Sequence, residues 1–591
     1  MENLKQKMIQ LKGIPASPGV AVGKAYLLDT EDAIIPTRKI SDDEIIIEIE
    51  RFKKALNDTK RELLDIKKKI SKQIGLREAE IFSAHLLVLE DVMLIDQVIE
   101  RVRKEKINVE YVFKQVLAKY VKTFAQIDDE YLKERLSDIN DVGKRILQNL
   151  IGKKVFSFSD FKEPVVLVAY DLSPSDTATL KKGTILGFAT DIGGKTSHTA
   201  IMAKSLEIPA VVGLEQVTEK IANGDTIIID GIKGLIIINP TKGVLAEYKK
   251  AQEKFETFEI NLSKLRDLDC VTLDGRKIEL VANIELPEEI PSVLQHGAKG
   301  IGLYRTEYFY MNRKDLPSEE EQFEAYKSVA QHMNPYPVII RTLDLGGDKF
   351  LSQLEIPYEM NPYLGWRAIR FCLARPEIFL VQLRAILRAS VYGNLKIMYP
   401  MISSVEEVTA TYEILAEAKE QLRKEKIKFD ENLESGIMIE VPSAAINSDT
   451  LAKKVKFFSI GTNDLIQYTL AVDRVNEKIS YLYDPAHPAV VKLVKMIIDN
   501  AHKNNIWVGM CGEMAGEIYL TILLVGLGLD EISVSPIMLP EIKQIVRAIK
   551  QKDAEEITKH ILTLTTTDSI KAFLRKEIKR LMPNVDLEIS F

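Results

Sequence analysis

The sequence predicts an α/β multidomain chain: a β/α domain interrupted by an inserted helical bundle, followed by a (β/α)8 TIM-type barrel. Three observations carry this expectation. The 591 residues are more than one hydrophobic core serves. Residues 41–150 read as helix throughout, with Lys, Glu, Leu and Ile at 3.6-residue spacing and almost no proline. Beyond residue 277, eight short apolar runs recur, separated by longer, mostly helical stretches.

The elements follow in order. A β-like start at residues 13–28 opens the first domain. Gly- and Pro-punctuated segments resume at Pro164, with strands expected at residues 165–169, 184–189, 226–229 and 235–238. The simplest account is one discontinuous β-containing domain, residues 1–30 and 155–240, interrupted by a helical domain at 31–154. Residues 245–268 read as a polar, uninterrupted helix within a linker at 241–268, spanning roughly 36 Å at 1.5 Å per residue. The barrel domain is expected at 269–591, with strands at 278–284, 300–304, 337–342, 395–399, 435–439, 457–460, 506–509 and 531–534. The same alternation also permits an open, doubly wound sheet. A closed barrel would gather Arg305, Arg341, Asp344, Glu440, Asn463, Asp464 and Cys511 on its C-terminal rim, where barrel active sites are built.

Composition narrows the function classes. A 46% hydrophobic and 28% charged chain is ordinary globular protein, and a formal net charge of −6 argues against general nucleic-acid binding. Residues 1–7 lack the apolar core of a signal peptide, and the most apolar stretch, near 521–529, is too short to span a membrane. Three cysteines, Cys270, Cys372 and Cys511, make neither a disulfide framework nor a CxxC site. A cytoplasmic location is the expected default.

His198 is the leading candidate for chemistry. It lies in Gly193-Gly194-Lys195-Thr196-Ser197-His198-Thr199, directly before a helical stretch. Two glycines allow a turn through positive φ and close approach of a ligand. Thr196 or Ser197 can cap the helix, leaving the imidazole at a helix N-terminus that favours phosphate. A neutral imidazole is a competent nucleophile, so the segment reads as a histidine that becomes phosphorylated. A capping loop with a merely packed histidine has the same pattern.

On the rim, Arg305, Arg341, Arg367, Arg474 and Lys349 are five cations after the second, third and sixth strands. Singly, each is a surface ion-pair partner; together they suit a small, highly anionic substrate, because guanidinium forks match carboxylate and phosphate oxygens. Glu440 and Asp464 end neighbouring strands and offer oxygen ligands suited to Mg²⁺; each can equally be a buried, hydrogen-bonded carboxylate. Cys511, just past the seventh strand, can donate a proton as a neutral thiol, or be an inert buried cysteine. Cys372 reads as helical and structural.

At these residues a resemblance emerges. Residues 193–213 (GGKTSHTAIMAKSLEIPAVVG), 302–308 (GLYRTEY), 340–349 (IRTLDLGGDK), 361–370 (NPYLGWRAIR), 436–442 (GIMIEVP), 458–468 (FSIGTNDLIQY) and 509–516 (GMCGEMAG) closely resemble the Enzyme I family of the bacterial phosphotransferase system. The resemblance extends over nearly the whole chain, including residues 13–24 (GIPASPGVAVGK). It implies a swivelling phosphohistidine domain at 1–30 and 155–240, a helical domain at 31–154 that binds the carrier HPr, and a barrel that binds phosphoenolpyruvate and forms a homodimer. It further implies phosphoryl transfer from phosphoenolpyruvate to Nε2 of His198, protonation of the pyruvate enolate by Cys511, and transfer to a histidine of HPr. By position, Arg305, Arg341, Asn463, Asp464 and Arg474 bind phosphoenolpyruvate, Glu440 and Asp464 hold Mg²⁺, and Arg367 and Lys349 line the same site.

One imidazole cannot face both a barrel-bound donor and an external carrier without moving, so the connector is expected to permit a domain rotation. In the helical insertion, Ile81, Phe82, His85, Val88, Leu89 and Val92 fall at helical spacing; most must be core, and some can form an apolar HPr patch flanked by Glu78, Glu80 and Glu90. Pyruvate phosphate dikinase and phosphoenolpyruvate synthase also carry the histidine domain and barrel. They place a nucleotide-binding domain of several hundred residues before the histidine, whereas fewer than 200 precede His198 here. A phosphoenolpyruvate sensor without turnover would not need an intact His198, Cys511 and carboxylate pair. The lack of an extra N-terminal sensor domain favours the sugar-uptake type over the nitrogen-related paralogue.

Overall fold

The structure is a computed structural model. It describes residues 8–28, 35–73, 82, 85–86, 88–125, 130–152, 161, 163–172, 174–177, 180, 183–194, 197–311, 315–346, 359–474, 476 and 478–583. The chain divides into two compact units, Met1–Phe258 and Glu259–Phe591.

The first unit holds strands β1 (Ile9–Lys12), β2 (Ile14–Ser17), β3 (Val20–Leu27), β4 (Val165–Ala169), β5 (Ile185–Thr190), β6 (Ala210–Val212), β7 (Thr226–Asp230) and β8 (Leu235–Ile238). They form one sheet in the order β1-β8-β7-β3-β4-β5-β6-β2. The pairs β3–β4, β4–β5 and β5–β6 are parallel; the remaining pairs are antiparallel. Both faces are covered, which explains apolar runs without polar alternation. Leu167, Ala169, Phe188, Ala210 and Val212 face one core; Val166, Val168, Ala189 and Val211 face the other, as the two-residue period of a strand demands. The β-like start divides at Gly19, whose φ of +124° a side chain would resist. Strand β6 escaped sequence reading because three residues are too few to show a period, and β1 went unread although Ile9-Gln10-Leu11-Lys12 alternates apolar and polar residues.

Between β3 and β4 lie the helices α1 (Asp42–Gln73), α2 (Val92–Glu105), α3 (Val109–Ala125) and α4 (Glu130–Ile151). Their core includes Phe52, Val98, Val102, Val109, Phe113, Val142 and Ile146, one apolar stripe per helix. The Asp91 side chain caps α2 by accepting from Leu94 N at 3.1 Å. Of the proposed patch, Phe82, His85 and Leu89 are buried, and Val92 is exposed. Glu90 is exposed and pairs with Lys60 at 2.6 Å. Ile81, Glu78 and Glu80 lie outside the described residues.

Helix α5 (His198–Ser205) follows β5, and α6 (Lys242–Ser263) follows β8. Ala200 and Ala203 of α5 pack on the sheet, while Met202 joins the core of the helical bundle. The helix that begins at His198 is therefore anchored on both parts of its unit.

The second unit is a closed, all-parallel barrel of β9 (Glu279–Ile284), β10 (Ile301–Tyr304), β11 (Pro337–Arg341), β12 (Asn394–Tyr399), β13 (Glu434–Ile439), β14 (Phe457–Ile460), β15 (Trp507–Met510) and β16 (Glu531–Val534). Register closes from β16 to β9 at Glu531–Glu279 through Val534–Ala282, so the open-sheet alternative is excluded. Leu303, Ile339, Met398, Met438, Phe457 and Cys511 form one packed cluster, and the Trp507 ring stacks on Phe457 at 4.5 Å.

At the start of β16, Glu531 is buried and its Oε1 has no hydrogen-bond partner among the described residues. Burial pushes its carboxyl up to about 8, and Lys396 opposes the shift. A carboxyl raised on folding holds a proton that the unfolded chain releases, so stability is lost as pH rises from the ordinary carboxyl range through about 8. Glu531→Gln removes that linkage. Its stability advantage over the parent should grow between pH 5 and 8, by at most about 1.4 kcal/mol per pH unit in denaturant melts. A pH-independent difference would show that Glu531 stays ionised.

Candidate active site

The C-terminal ends of the barrel strands bring most of the candidate residues into one connected group. Arg341 ends β11 and reaches Glu307 Oε1 at 2.7 Å and Asp344 Oδ2 at 2.9 Å. Asp344 Oδ1 accepts from Arg367 at 2.7 Å, and Arg367 also reaches Asp464 Oδ2 at 3.4 Å. The result is an alternating chain, Glu307–Arg341–Asp344–Arg367–Asp464, held across three loops. Burial disfavours the Asp344 carboxylate, but Arg341 and Arg367 outweigh it and hold its pKa below the usual range.

Glu440 directly follows β13, and its Oε1 accepts from Met401 N at 2.6 Å. A Cβ at position 461 would lie 2.7 Å from Glu440 Oε2, so glycine there leaves room for the carboxylate. Burial pushes the Glu440 carboxyl up to about 8, and the like charge of Asp464 adds to it. Asp464 is likewise raised by burial, with Arg367 opposing. Burial therefore holds both carboxyls toward the neutral form, because the neighbouring arginines only partly oppose it.

Arg305 follows β10 and pairs with Glu285 at 2.5 Å, while Arg474 pairs with Glu513 at 2.5 Å. Asn463 and Glu513 exchange two hydrogen bonds: Asn463 Nδ2 donates to Glu513 Oε1 at 3.3 Å, and Glu513 N donates to Asn463 Oδ1 at 2.7 Å. Arg474 lies close enough to perturb Asp464, and Arg305 close enough to perturb both Asp344 and Cys511. Lys349 and its Gly347-Asp348 neighbours lie outside the described residues.

Cys511 follows β15 and is buried, with its thiol accepting from Ser459 Oγ at 3.3 Å. Burial pushes the thiol up to about 11; the Ser459 hydrogen bond and Arg341 oppose the shift. Its backbone carbonyl accepts from Asn283 Nδ2 at 3.1 Å, which fixes the turn after the strand. Cys372 is buried in helix Ala368–Ala374, and burial keeps its thiol neutral.

In the first unit, Ser197 is extended and its Oγ accepts from Ala200 N at 3.3 Å, so Ser197 is the N-cap and His198 the first helical residue. Lys195 and Thr196 lie outside the described residues. Thr199 Oγ1 donates to Leu172 O at 3.1 Å. The preceding turn is held by buried Asp191, which accepts from Val217 N, Thr218 N and the Thr218 hydroxyl. Gly193, at φ +119°, turns the chain toward the cap.

Family models match three consecutive stretches: PEP-utilising enzyme, N-terminal (residues 12–135), PEP-utilising enzyme, mobile domain (161–234), and PEP-utilising enzyme, PEP-binding domain (260–551). A phosphoenolpyruvate-protein phosphotransferase of Bacillus subtilis (strain 168) is 48% identical over 573 residues, 97% of this chain and 100% of that one. The chain belongs to the phosphoenolpyruvate-protein phosphotransferase family. Relatives of the same name from Staphylococcus carnosus (strain TM300) and Haemophilus influenzae are each 47% identical, over 95% and 96% of this chain and 98% of their own.

Sequence reading missed the carboxylates that hold the rim arginines: Glu285, Glu307 and Glu513. A signal existed, since Glu285 directly follows β9, and Glu307 and Glu513 each lie two residues from a candidate, Arg305 and Cys511.

Proposed function

We propose that the chain takes the phosphoryl group of phosphoenolpyruvate onto His198, releases pyruvate, and passes the group to a histidine of the carrier HPr. The observation that carries this reading is the alternating, largely buried rim of guanidinium and carboxylate groups at one barrel mouth. Arg341 and Arg367 each keep a buried Nε–H with no acceptor among the described residues. A buried donor needs a partner, and carboxylate or phosphate oxygens supply one.

In this reading, Arg305, Arg341, Arg367 and Arg474, with Asn463 and Lys349, bind and orient the anionic substrate. Glu440 and Asp464 fit Mg²⁺: both are oxygen donors, and a bound cation would favour the ionised forms that burial disfavours. The ion would neutralise charge on the phosphoryl and carboxylate oxygens. Phosphoryl transfer asks mainly for positioning and charge compensation, which this set of residues provides. Cys511 holds its proton at neutral pH and gives it to the enolate carbon as pyruvate forms.

HPr docks on the helical insertion, the barrel mediates homodimerisation, and the protein works in the cytoplasm. No helix among the described residues is long and apolar enough to cross a membrane. Residues 1–30 and 155–240 form the phosphohistidine domain, 31–154 the HPr-binding domain, 241–268 the linker and 269–591 the barrel domain. Because His198 serves two sites, the linker permits rotation. A rigid cross-link between the phosphohistidine domain and the barrel should stop one half-reaction and spare the other; unchanged overall turnover would refute the rotation. The reading as a whole is tested by incubation with labelled phosphoenolpyruvate and Mg²⁺. Acid-labile, base-stable label with release of pyruvate is expected; binding without label would make the chain a sensor.

A further inference from the structure

We propose that Gln382, on the outer helix Pro376–Ala389, is a positioning residue for the phosphoenolpyruvate-binding arginines; this rests on the functional reading above. Gln382 is fully buried, yet both of its amide N–H groups and its carbonyl oxygen find partners. Its Oε1 accepts from Leu343 N at 3.0 Å, and its Nε2 donates to Thr306 Oγ1 at 3.0 Å and to Tyr326 OH at 3.2 Å.

The direction of each bond is fixed by the next one along. Tyr326 OH donates its single proton to Gln322 Oε1 at 3.1 Å, so it can only accept from Gln382. Thr306 Oγ1 donates its proton to Arg341 O at 2.9 Å, so it too must accept. Both hydroxyls therefore require the NH₂ side of the amide, and the Leu343 N–H requires its oxygen. Only one orientation of Gln382 satisfies all three.

The groups so tied are the backbones that carry the rim. Thr306 stands between Arg305 and Glu307, the residue that pairs with Arg341. Leu343 stands between Arg341 and Asp344, which links Arg341 to Arg367. One buried amide thus locks the loops after β10 and β11 to the same helix and to each other. Satisfied buried networks of this kind rigidify their surroundings, and small displacements of positioning groups are costly in rate.

The test compares isosteric variants in the full-length protein. Gln382→Leu keeps the volume and removes all three bonds; Thr306→Val removes the hydroxyl, and Thr306→Ser restores it. Measured by pyruvate release, Gln382→Leu and Thr306→Val should each lower kcat/KM for phosphoenolpyruvate by about tenfold to a hundredfold. Thr306→Ser should stay within about twofold of the parent, and the double variant should be no worse than the poorer single one. Phosphoryl exchange between His198 and HPr should be unchanged in all. A folded Gln382→Leu with parental kcat/KM, equal losses in Thr306→Val and Thr306→Ser, or losses that multiply in the double variant would overturn the proposal. If Gln382→Leu does not fold, the two Thr306 variants decide. A parent that releases no pyruvate would instead overturn the functional reading itself.

Discussion

Replacing His198 by alanine should abolish covalent labelling by phosphoenolpyruvate, a loss of at least about a thousandfold, because removal of a nucleophile leaves no alternative acceptor. The chain has seven histidines, and the other six are engaged elsewhere. His85 is buried 3.7 Å from Asp141. His296 and His332 bond through Nδ1 to the carbonyls of Ser292 and Ser328. His487 caps its helix by accepting from Ala489 N, His502 pairs with Asp530 at 2.8 Å, and the His560 ring packs on Phe573 at 4.4 Å. None begins a helix after a glycine turn. Equilibrium binding of phosphoenolpyruvate should survive in the alanine variant, since the rim arginines belong to the other unit. Acid-labile label persisting at the parental level would move the acceptor to another residue and remove the basis for the phosphohistidine domain.

The barrel was legible because its strands are buried on both sides. Each is a short apolar run such as residues 337–341, ended by a polar residue and followed by helix, and that pattern repeats around the ring. Arg305 and Arg341 were legible for the same reason: a residue at the C-terminal end of a barrel strand opens onto the rim. Their counter-ions were legible in position, beside strand ends and candidates, but not in pairing. Nothing in linear spacing tells that Glu307 turns back to Arg341 or that Glu513 reaches both Arg474 and Asn463. Those pairings depend on how adjacent loops lie against each other. Gln382 was further from view, since a glutamine in an amphipathic helix reads as surface until its neighbours are known. In the first unit, β6 is three residues between Pro209 and Gly213, and only the flanking strands reveal it.

Replacing Cys511 by alanine should lower pyruvate release by at least about a hundredfold, the low end of what a positioned general acid supplies. The thiol is buried, hydrogen-bonded by Ser459 and pushed up to about 11, so it is protonated across the neutral range. Transfer of the phosphoryl group to His198 leaves an enolate that can return by the reverse path until its carbon is protonated. Removing the acid therefore traps the system in that reversible exchange. Affinity for phosphoenolpyruvate should change less than about threefold, since the arginines, Asn463 and the carboxylate pair are untouched. The sign of the pH dependence follows from the upward shift. A thiol with the ordinary pKa near 8.5 would lose its proton through pH 8 to 9 and the rate would fall with it. The buried thiol should instead sustain proton donation through that window, with loss beginning only toward about 11. Cys511→Ser keeps the size and a proton but is a far weaker acid, so it should fall between parent and alanine. Parental pyruvate release in Cys511→Ala, at any pH between 7 and 9, would assign the proton to water or to another rim group and leave Cys511 as packing alone.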